Sequence, residues 1–462
     1  VYGPVRLIGF FIILSALPGL FSCGGGSGIS IGPGESRLFF AADDGVHGRE
    51  LWRTDGTPDG TLRITNLNPG AGNFTPGGLT LFDDLIFFRA DDGSLGLELW
   101  KSNGTSGGTV LVKDIRVGPD DSEPQELTAF DGMLYFRAND GVHGGELWRS
   151  DGTEAGTFMV KDINPVGNSA PAGFTAMGGF LYFRADDGVN GSELWRTDGT
   201  EVGTTLVKDI NPGGSSAPQR LTVFNGELYF VANDGTDGFE LWKSNGTEAG
   251  TVRVADINPG ASGSSPQDLI VLDDALYFSA DDGTHGRELW RTNGTQAGTV
   301  MVRDINVGGS SSPAWFAVFD EVLYFSADDG VHGKELWRTD GTSDGTEMVA
   351  DVNPDEDSSF PYSLMVFNGE LYFVADDGAS GFELWKTDGT EDGTVQVANI
   401  NSGGDAFPEW LTAYKGELYF SADDGVSGVE LWKTDGTAVG TVRLRDIRPG
   451  ASGSEPSNLI VY

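Results

Sequence analysis

Apolar residues in this chain come in short runs, and each run stops at glycine-rich turn chemistry instead of settling into a helical period. Residues 218–260 read PQRLTVFNGELYFVANDGTDGFELWKSNGTEAGTVRVADINPG and hold four such runs, LTVF, ELYFVA, FELW and TVRVADI. The first three are followed by NG, NDGTDG and NGTEAG. Asn-Gly and Asp-Gly tolerate the positive φ of tight hairpin turns, so the stretch predicts a four-stranded antiparallel meander. The longer polar link INPGGSSAPQR between neighbouring units suits a passage to another sheet better than a further hairpin. Within ELYF, Leu228 and Phe230 point one way and Tyr229 the other, so both faces of the sheet are apolar and need neighbours. Four-stranded sheets stacked around an axis meet that need, which predicts a β-propeller.

The unit recurs throughout. The tryptophan of an ELW triplet stands at Trp52, Trp100, Trp148, Trp195, Trp242, Trp290, Trp337, Trp385 and Trp432, giving nine copies 47 or 48 residues apart. The first copy begins at ESRLFFAADDG without an LTVF-type strand, and the chain ends on EPSNLIVY, which is such a strand. The expectation is an all-β single propeller of nine four-stranded blades, with the C-terminal strand completing the N-terminal blade. Nine exceeds the usual four to eight, and the full ring is preferred over a smaller ring with one copy outside it.

Composition narrows the partners. Among 462 residues, 70 are glycine and 20 proline, as expected of a turn-dense β protein. The 29 basic and 69 acidic residues give a net charge of −40, which repels phosphate backbones and excludes nucleic acid as a partner. A single cysteine, Cys23, permits neither an internal disulfide nor a cysteine-ligated metal knuckle. It follows the apolar run Leu7–Phe21 and precedes Gly24, Gly25, Gly26 and Ser27. Residues 1–22 therefore read as an export signal, 23–34 as Cys23 with a Gly/Ser tether, and 35–462 as the propeller. The segment around Cys23 resembles the bacterial lipoprotein box, which implies that this cysteine is lipidated. That resemblance implies a cell-envelope protein at the outer membrane or cell surface, touching the membrane only through its lipid; simple secretion is the alternative.

ELWRTDGTPDGT at 50–61 and ELWKTDGTEDGT at 383–394 resemble the bacterial ELWxxDGT repeat family across nearly the whole mature chain. The resemblance implies an exported, acidic, repeat-built propeller, in some cases labelled after hyalin-type adhesion repeats. It implies no reaction.

Comparing the copies separates structure from chemistry. The DGT turn carries Asp at Asp55, Asp151, Asp198, Asp340, Asp388 and Asp435 but Asn at Asn103, Asn245 and Asn293. Both types build turns, whereas only Asp can act as acid or anionic ligand, so the position reads as a turn. Paired acids such as Asp43–Asp44 and Asp281–Asp282 lack the DxDxDG spacing of a calcium loop. No cofactor or metal site is expected, with calcium association of the acidic rim as the alternative. His47, His143, His285 and His332 share one hairpin position and cannot converge on a zinc ion. Arg89, Arg137 and Arg184 follow the aromatic strand in three consecutive copies and are expected to pair with hairpin acids.

One position varies inside the otherwise rigid repeat, just before the LTVF-type strand. It holds Gly78, Glu126, Gly173, Arg220, Asp268, Trp315, Ser363, Trp410 and Asn458. If that strand lies nearest the axis, these residues border the channel. Trp315, Trp410, Arg220, Glu126 and Asp268 are therefore the ligand-binding candidates, the tryptophans as stacking platforms. No asymmetric set of nucleophile, acid and base is evident, so the leading expectation is a non-enzymatic recognition or adhesion module for a protein or glycan. The alternatives are a glycosidase or lyase using channel-mouth carboxylates such as Glu126 and Asp268, and a structural calcium-associated matrix protein.

Overall fold

The computed structural model describes residues 36–69, 72–354 and 356–462. Residues 1–35, where the export signal, lipidated Cys23 and tether are expected, lie outside the described residues. From Ser36 onward the chain forms one compact unit of nine four-stranded antiparallel sheets, the expected nine blades. Blade one combines Leu38–Asp43, Arg49–Thr54 and Leu62–Arg63 with the C-terminal strand Ser457–Val461. Blades two to nine each begin with an inner strand: Gly77–Phe82, Gln125–Phe130, Ala172–Met177, Gln219–Phe224, Gln267–Leu272, Ala314–Phe319, Tyr362–Phe367 and Glu409–Tyr414.

These inner strands touch one another in sequence, and Ser457–Val461 touches both Glu409–Tyr414 and Gly77–Phe82. The ring is therefore closed, with the first strand of each blade at the axis. Outer strands are shorter than the sequence suggests. In blade five the fourth strand is only Val252–Arg253, because beyond it the Val254 N–H bonds the Leu241 carbonyl outside regular pairing.

Alternation places the core between blades. Leu228, Phe230 and Ala232 of blade five pack on Tyr182 and Leu194 of blade four, while Tyr229 faces Leu276 and Phe278 of blade six. The turns lock the same interfaces. Asp151 Oδ1 accepts from the Thr153 N–H at 2.8 Å and its hydroxyl at 2.7 Å, and Asn103 Oδ1 does the same for Thr105. This equivalence explains why Asp and Asn interchange there. Gly199 in the next such turn has φ 86° and lies so close to Tyr135 of blade three that a Cβ would sit 2.2 Å from its Oη, so only glycine fits. Arg149 of blade three donates to the Gly199 carbonyl at 2.8 Å, and Lys433 of blade nine closes the circle on the Gly56 carbonyl at 3.2 Å.

The glutamate of each ELW triplet is fully buried. Glu193 accepts from the N–H groups of Ile210 and Ser216 and from the Ser216 hydroxyl, at 2.9, 2.8 and 2.5 Å. It staples the inter-blade link to the third strand. Burial pushes these carboxyls upward, to about 7 at Glu50, Glu98, Glu335 and Glu383.

Candidate functional site at the channel mouth

Each inner strand carries a bulge at its start. In blade five Gln219 pairs with Val231 and Thr222 with Tyr229, so Arg220 and Leu221 together oppose the single Phe230. The bulge turns the backbone left-handed: φ is 61° at Glu126, 59° at Arg220, 54° at Asp268 and 60° at both Trp315 and Trp410. The variable position thus lies inside the inner strand, not before it. Side chains other than glycine meet a steric penalty in this region, yet only Gly78 and Gly173 of the nine residues are glycine. Strain of this kind persists where the surrounding fold imposes it, and it concentrates at functional sites.

The bulge side chains reach around the ring to the next blade. The Asn458 amide oxygen accepts from the Gly78 N–H at 3.3 Å, and Glu126 Oε2 accepts from the Gly173 N–H at 3.2 Å. Arg220 pairs with Asp268 at 3.3 Å. Burial raises the Asp268 carboxyl even though Arg220 and Arg287 pull it down. Glu126 and Asp268 stand on blades three and six, each held by a different partner. The structure does not bring them together as an acid and base pair.

Trp315 belongs to a group that the sequence reading did not assemble. Its ring packs on Tyr362 at 5.9 Å between centroids, Tyr362 on Phe382 at 5.9 Å, and Phe382 stacks on Phe407 at 5.3 Å. Phe360, Phe407, Trp315 and Trp410 remain 53, 49, 36 and 39 % exposed. This aromatic arc spans blades seven to nine. Tyr362, Phe382 and Phe407 occupy three further variable positions: the residue before the bulge, the start of the third strand, and the residue preceding the link proline. Phe407, like the residue before the last proline of every link, is left-handed, and its N–H bonds the Phe382 carbonyl at 3.1 Å. Laying the nine copies under one another at those three positions would have exposed the arc.

Acids border it. Glu409, next to Trp410, is raised by burial and by the charge of Glu455. Tyr362 is raised by burial and then by Glu409 and Asp405. Glu409 and Glu455 are thus the carboxylates this part of the mouth brings near each other.

The hairpin acids on the same face are occupied locally. Asp43 Oδ1 accepts from the Gly45 N–H, Asp44 Oδ1 from those of Val46 and His47, and Asp44 Oδ2 meets His47 Nδ1 at 2.7 Å. His143, His285 and His332 repeat that pairing within their own turns. No group of three or more His, Cys, Asp or Glu side chains suited to a metal is found among the described residues. Arg89, Arg137 and Arg184 depart from expectation. None reaches a carboxylate among the described residues, and Arg137 instead meets the Gln125 side chain. The acids of the adjacent hairpins bind their own turns, Asp91 and Asp92 accepting from the Gly93, Ser94 and Leu95 N–H groups and Asp186 and Asp187 from those of Gly188, Val189 and Asn190.

No family model matches the chain, and no curated protein does. The likeness to known proteins is one of architecture. A computationally designed protein, Ika8, is 16 % identical with a TM-score of 0.44, covering 77 % of this chain and 94 % of the designed one. A puromycin hydrolase is 14 % identical at TM-score 0.37, and a puromycin-hydrolyzing peptidase of Mycobacterium tuberculosis 11 % identical at 0.40. The chain covers 75 and 76 % of itself in these matches but spans only 58 % of each hydrolase.

Proposed function

We propose that this propeller is a non-enzymatic recognition module of the cell envelope, exported and held by a lipid on Cys23, that binds glycan across its channel mouth. The observation that carries the reading is the run of ring contacts from Trp315 through Tyr362 and Phe382 to Phe407, with the exposed Trp410 three residues further along the chain. Flat, partly exposed rings offer stacking faces to sugars, and the acids beside them supply hydrogen-bond acceptors. A monomer has no structural use for several exposed large aromatics on one face, because the cores between blades are complete without them. Strained bulges bearing Trp rather than Gly support the same reading.

The test is a glycan-array screen of residues 24–462, followed by affinity measurements on the W315A/W410A variant. A specific hit weakened about tenfold or more in the double variant, with thermal unfolding unchanged, is the expected result. Undiminished binding would remove the arc from the site.

A second reading rests on Glu409 and Glu455, which sit beside the stacking surface with Glu409 raised by burial. Under it the module hydrolyses the glycan, with Glu409 as acid. E409Q then abolishes product release from a bound oligosaccharide without weakening its binding.

A further inference from the structure

At the mouth, the seam after each blade is filled by two residues that face it, one from the second strand and one from the start of the third. In blades one and six a small second-strand residue, Ala41 or Ser279, lies beneath a long cation from the third strand. Arg49 donates to the Glu455 carbonyl at 2.8 Å, and Arg287 to the Ser279 carbonyl at 3.2 Å. In blades two, three and four the order is inverted: Arg89, Arg137 and Arg184 rise from the second strand, and the third strand begins with Leu97, Gly145 and Ser192.

The two arrangements differ in what the cation meets. Arg49 and Arg287 are taken up by backbone carbonyls of the link and the second strand. Other arginines on this side of the molecule are paired, Arg63 with Asp44 at 3.3 Å, Arg443 with Asp424 at 3.3 Å and Arg448 with Asp43 at 2.7 Å. Arg89 and Arg184 have neither a hydrogen-bond nor a carboxylate partner among the described residues, and Arg137 has only Gln125. Three unneutralised guanidinium groups on consecutive blades are an anomaly in a chain of net charge −40.

The surroundings keep them open. A Cβ on Gly77 would lie 3.2 Å from Arg89 Nε. Across the sheet Arg184 faces Ala172 of the inner strand and Leu194 of the third strand, neither of which can pair with a guanidinium. Arg137 lines a cavity of about 220 Å³ together with Glu123, Asn139, Gly145, Asn168 and Ala170.

We propose that Arg89, Arg137 and Arg184 form a row of anion-reading positions, one per seam, that takes the carboxylate groups of an acidic polysaccharide. A guanidinium fork matches a carboxylate in a bidentate way. Stacked sheets are spaced about 10 Å apart, so the row suits a polymer whose acids recur at intervals rather than a densely charged one. The protein's negative field opposes a densely charged polyanion such as polyphosphate or polysulfate more strongly than a polymer whose charges are spaced apart. The inference deepens the glycan-recognition reading by naming the acid on the ligand, and rests on that reading for the polymer alone.

The experiment measures affinity for three probes: a polysaccharide alternating uronic acid with neutral sugar, the same polymer after carboxyl reduction, and a polysulfated polysaccharide. They are tested against the unmodified protein, R89Q/R137Q/R184Q, the single variant R184Q, and W315A/W410A, all confirmed folded by thermal unfolding. The triple variant is expected to lose about tenfold or more of its affinity for the acidic polymer and to keep its affinity for the reduced one, with R184Q intermediate. Equal binding of acidic and reduced polymers by the unmodified protein, tighter binding of the polysulfated one, or no binding of the acidic polymer each overturns the proposal. So does a triple variant that binds the acidic polymer unchanged. W315A/W410A separates the two readings: loss of the reduced polymer there alone implicates the arc, and loss of the acidic polymer in the arginine variant alone implicates the row.

Discussion

At the scale of single residues, a channel-mouth side chain and the backbone beneath it pull in opposite directions. Trp410 holds φ at 60°, a conformation that disfavours an L side chain by roughly 1–2 kcal/mol. Replacing it with glycine removes that penalty together with the packing of a half-exposed ring. W410G should therefore unfold within about 1 kcal/mol of the parent, while its glycan affinity falls; calorimetric unfolding and titration on one sample read both. Some residue-level chemistry was legible in the sequence. The interchange of Asp55 with Asn103 at one turn showed a side chain that caps amides, and both do. The strain at Trp410 was not legible, because the sign of φ follows from a bulge whose register only the folded pairing shows.

At the scale of elements, the inter-blade link depends on a buried carboxylate that the sequence reading passed over in favour of its tryptophan neighbour. Removing the Ser216 hydroxyl leaves Glu193 short of one donor, so S216A should destabilise by about 1–3 kcal/mol at pH 8. The chain already shows the substitution tolerated once, since Ala406 occupies this place opposite Glu383. The buried triplet glutamates also set the pH response. Their folded pKa values lie above the ordinary 4.5, at about 7 in four blades. The folded state thus holds protons that the unfolded chain releases. The resulting stabilisation is complete below pH 4.5 and is lost as pH rises through 7. Asp55, Asp151 and Asp198 act in the opposite sense, lowered by the Thr hydroxyl and N–H they accept from, and their contribution fades as pH falls below 3.8. The melting temperature should climb as pH drops from 8 to about 5 and decline below about 4, which a pH series of thermal melts checks. The strands themselves were legible from LTVF, ELYFVA and FELW. The staple was not, since a glutamate beside two apolar residues gives no sign in sequence of being buried.

At the scale of the molecule, closure depends on the last strand. Tyr462 exchanges backbone hydrogen bonds with Arg37 at 3.1 and 2.9 Å, Leu459 enters the core against blade nine, and Ile460 packs against the core on the other side. Ending the chain at residue 455 exposes these surfaces. Burying a Leu or Ile stabilises by roughly 1.5–3 kcal/mol each, so the truncated protein should melt several degrees lower and show more than one transition in calorimetry. The split blade was legible because each end of the sequence lacked what the other supplied. The arginine row was legible too, as one position repeated in three consecutive copies, but its lack of carboxylate partners was not, and the arc was not, because its rings stand 20 to 50 residues apart and only stacking makes them neighbours.

Closure has a further consequence for how a ligand would be held. The centre of the arginine row, blade three, lies four blade steps of nine from the centre of the arc, blade eight, an angle of about 160° around the axis. The two sectors therefore face each other across the mouth on a frame that cannot splay. A polymer long enough to touch both engages the second at the high effective concentration fixed by the first, whereas a shorter one gains nothing from the pair. The ring then acts as a length gauge, and affinity should step upward at the chain length that first bridges the mouth instead of rising smoothly with each added sugar.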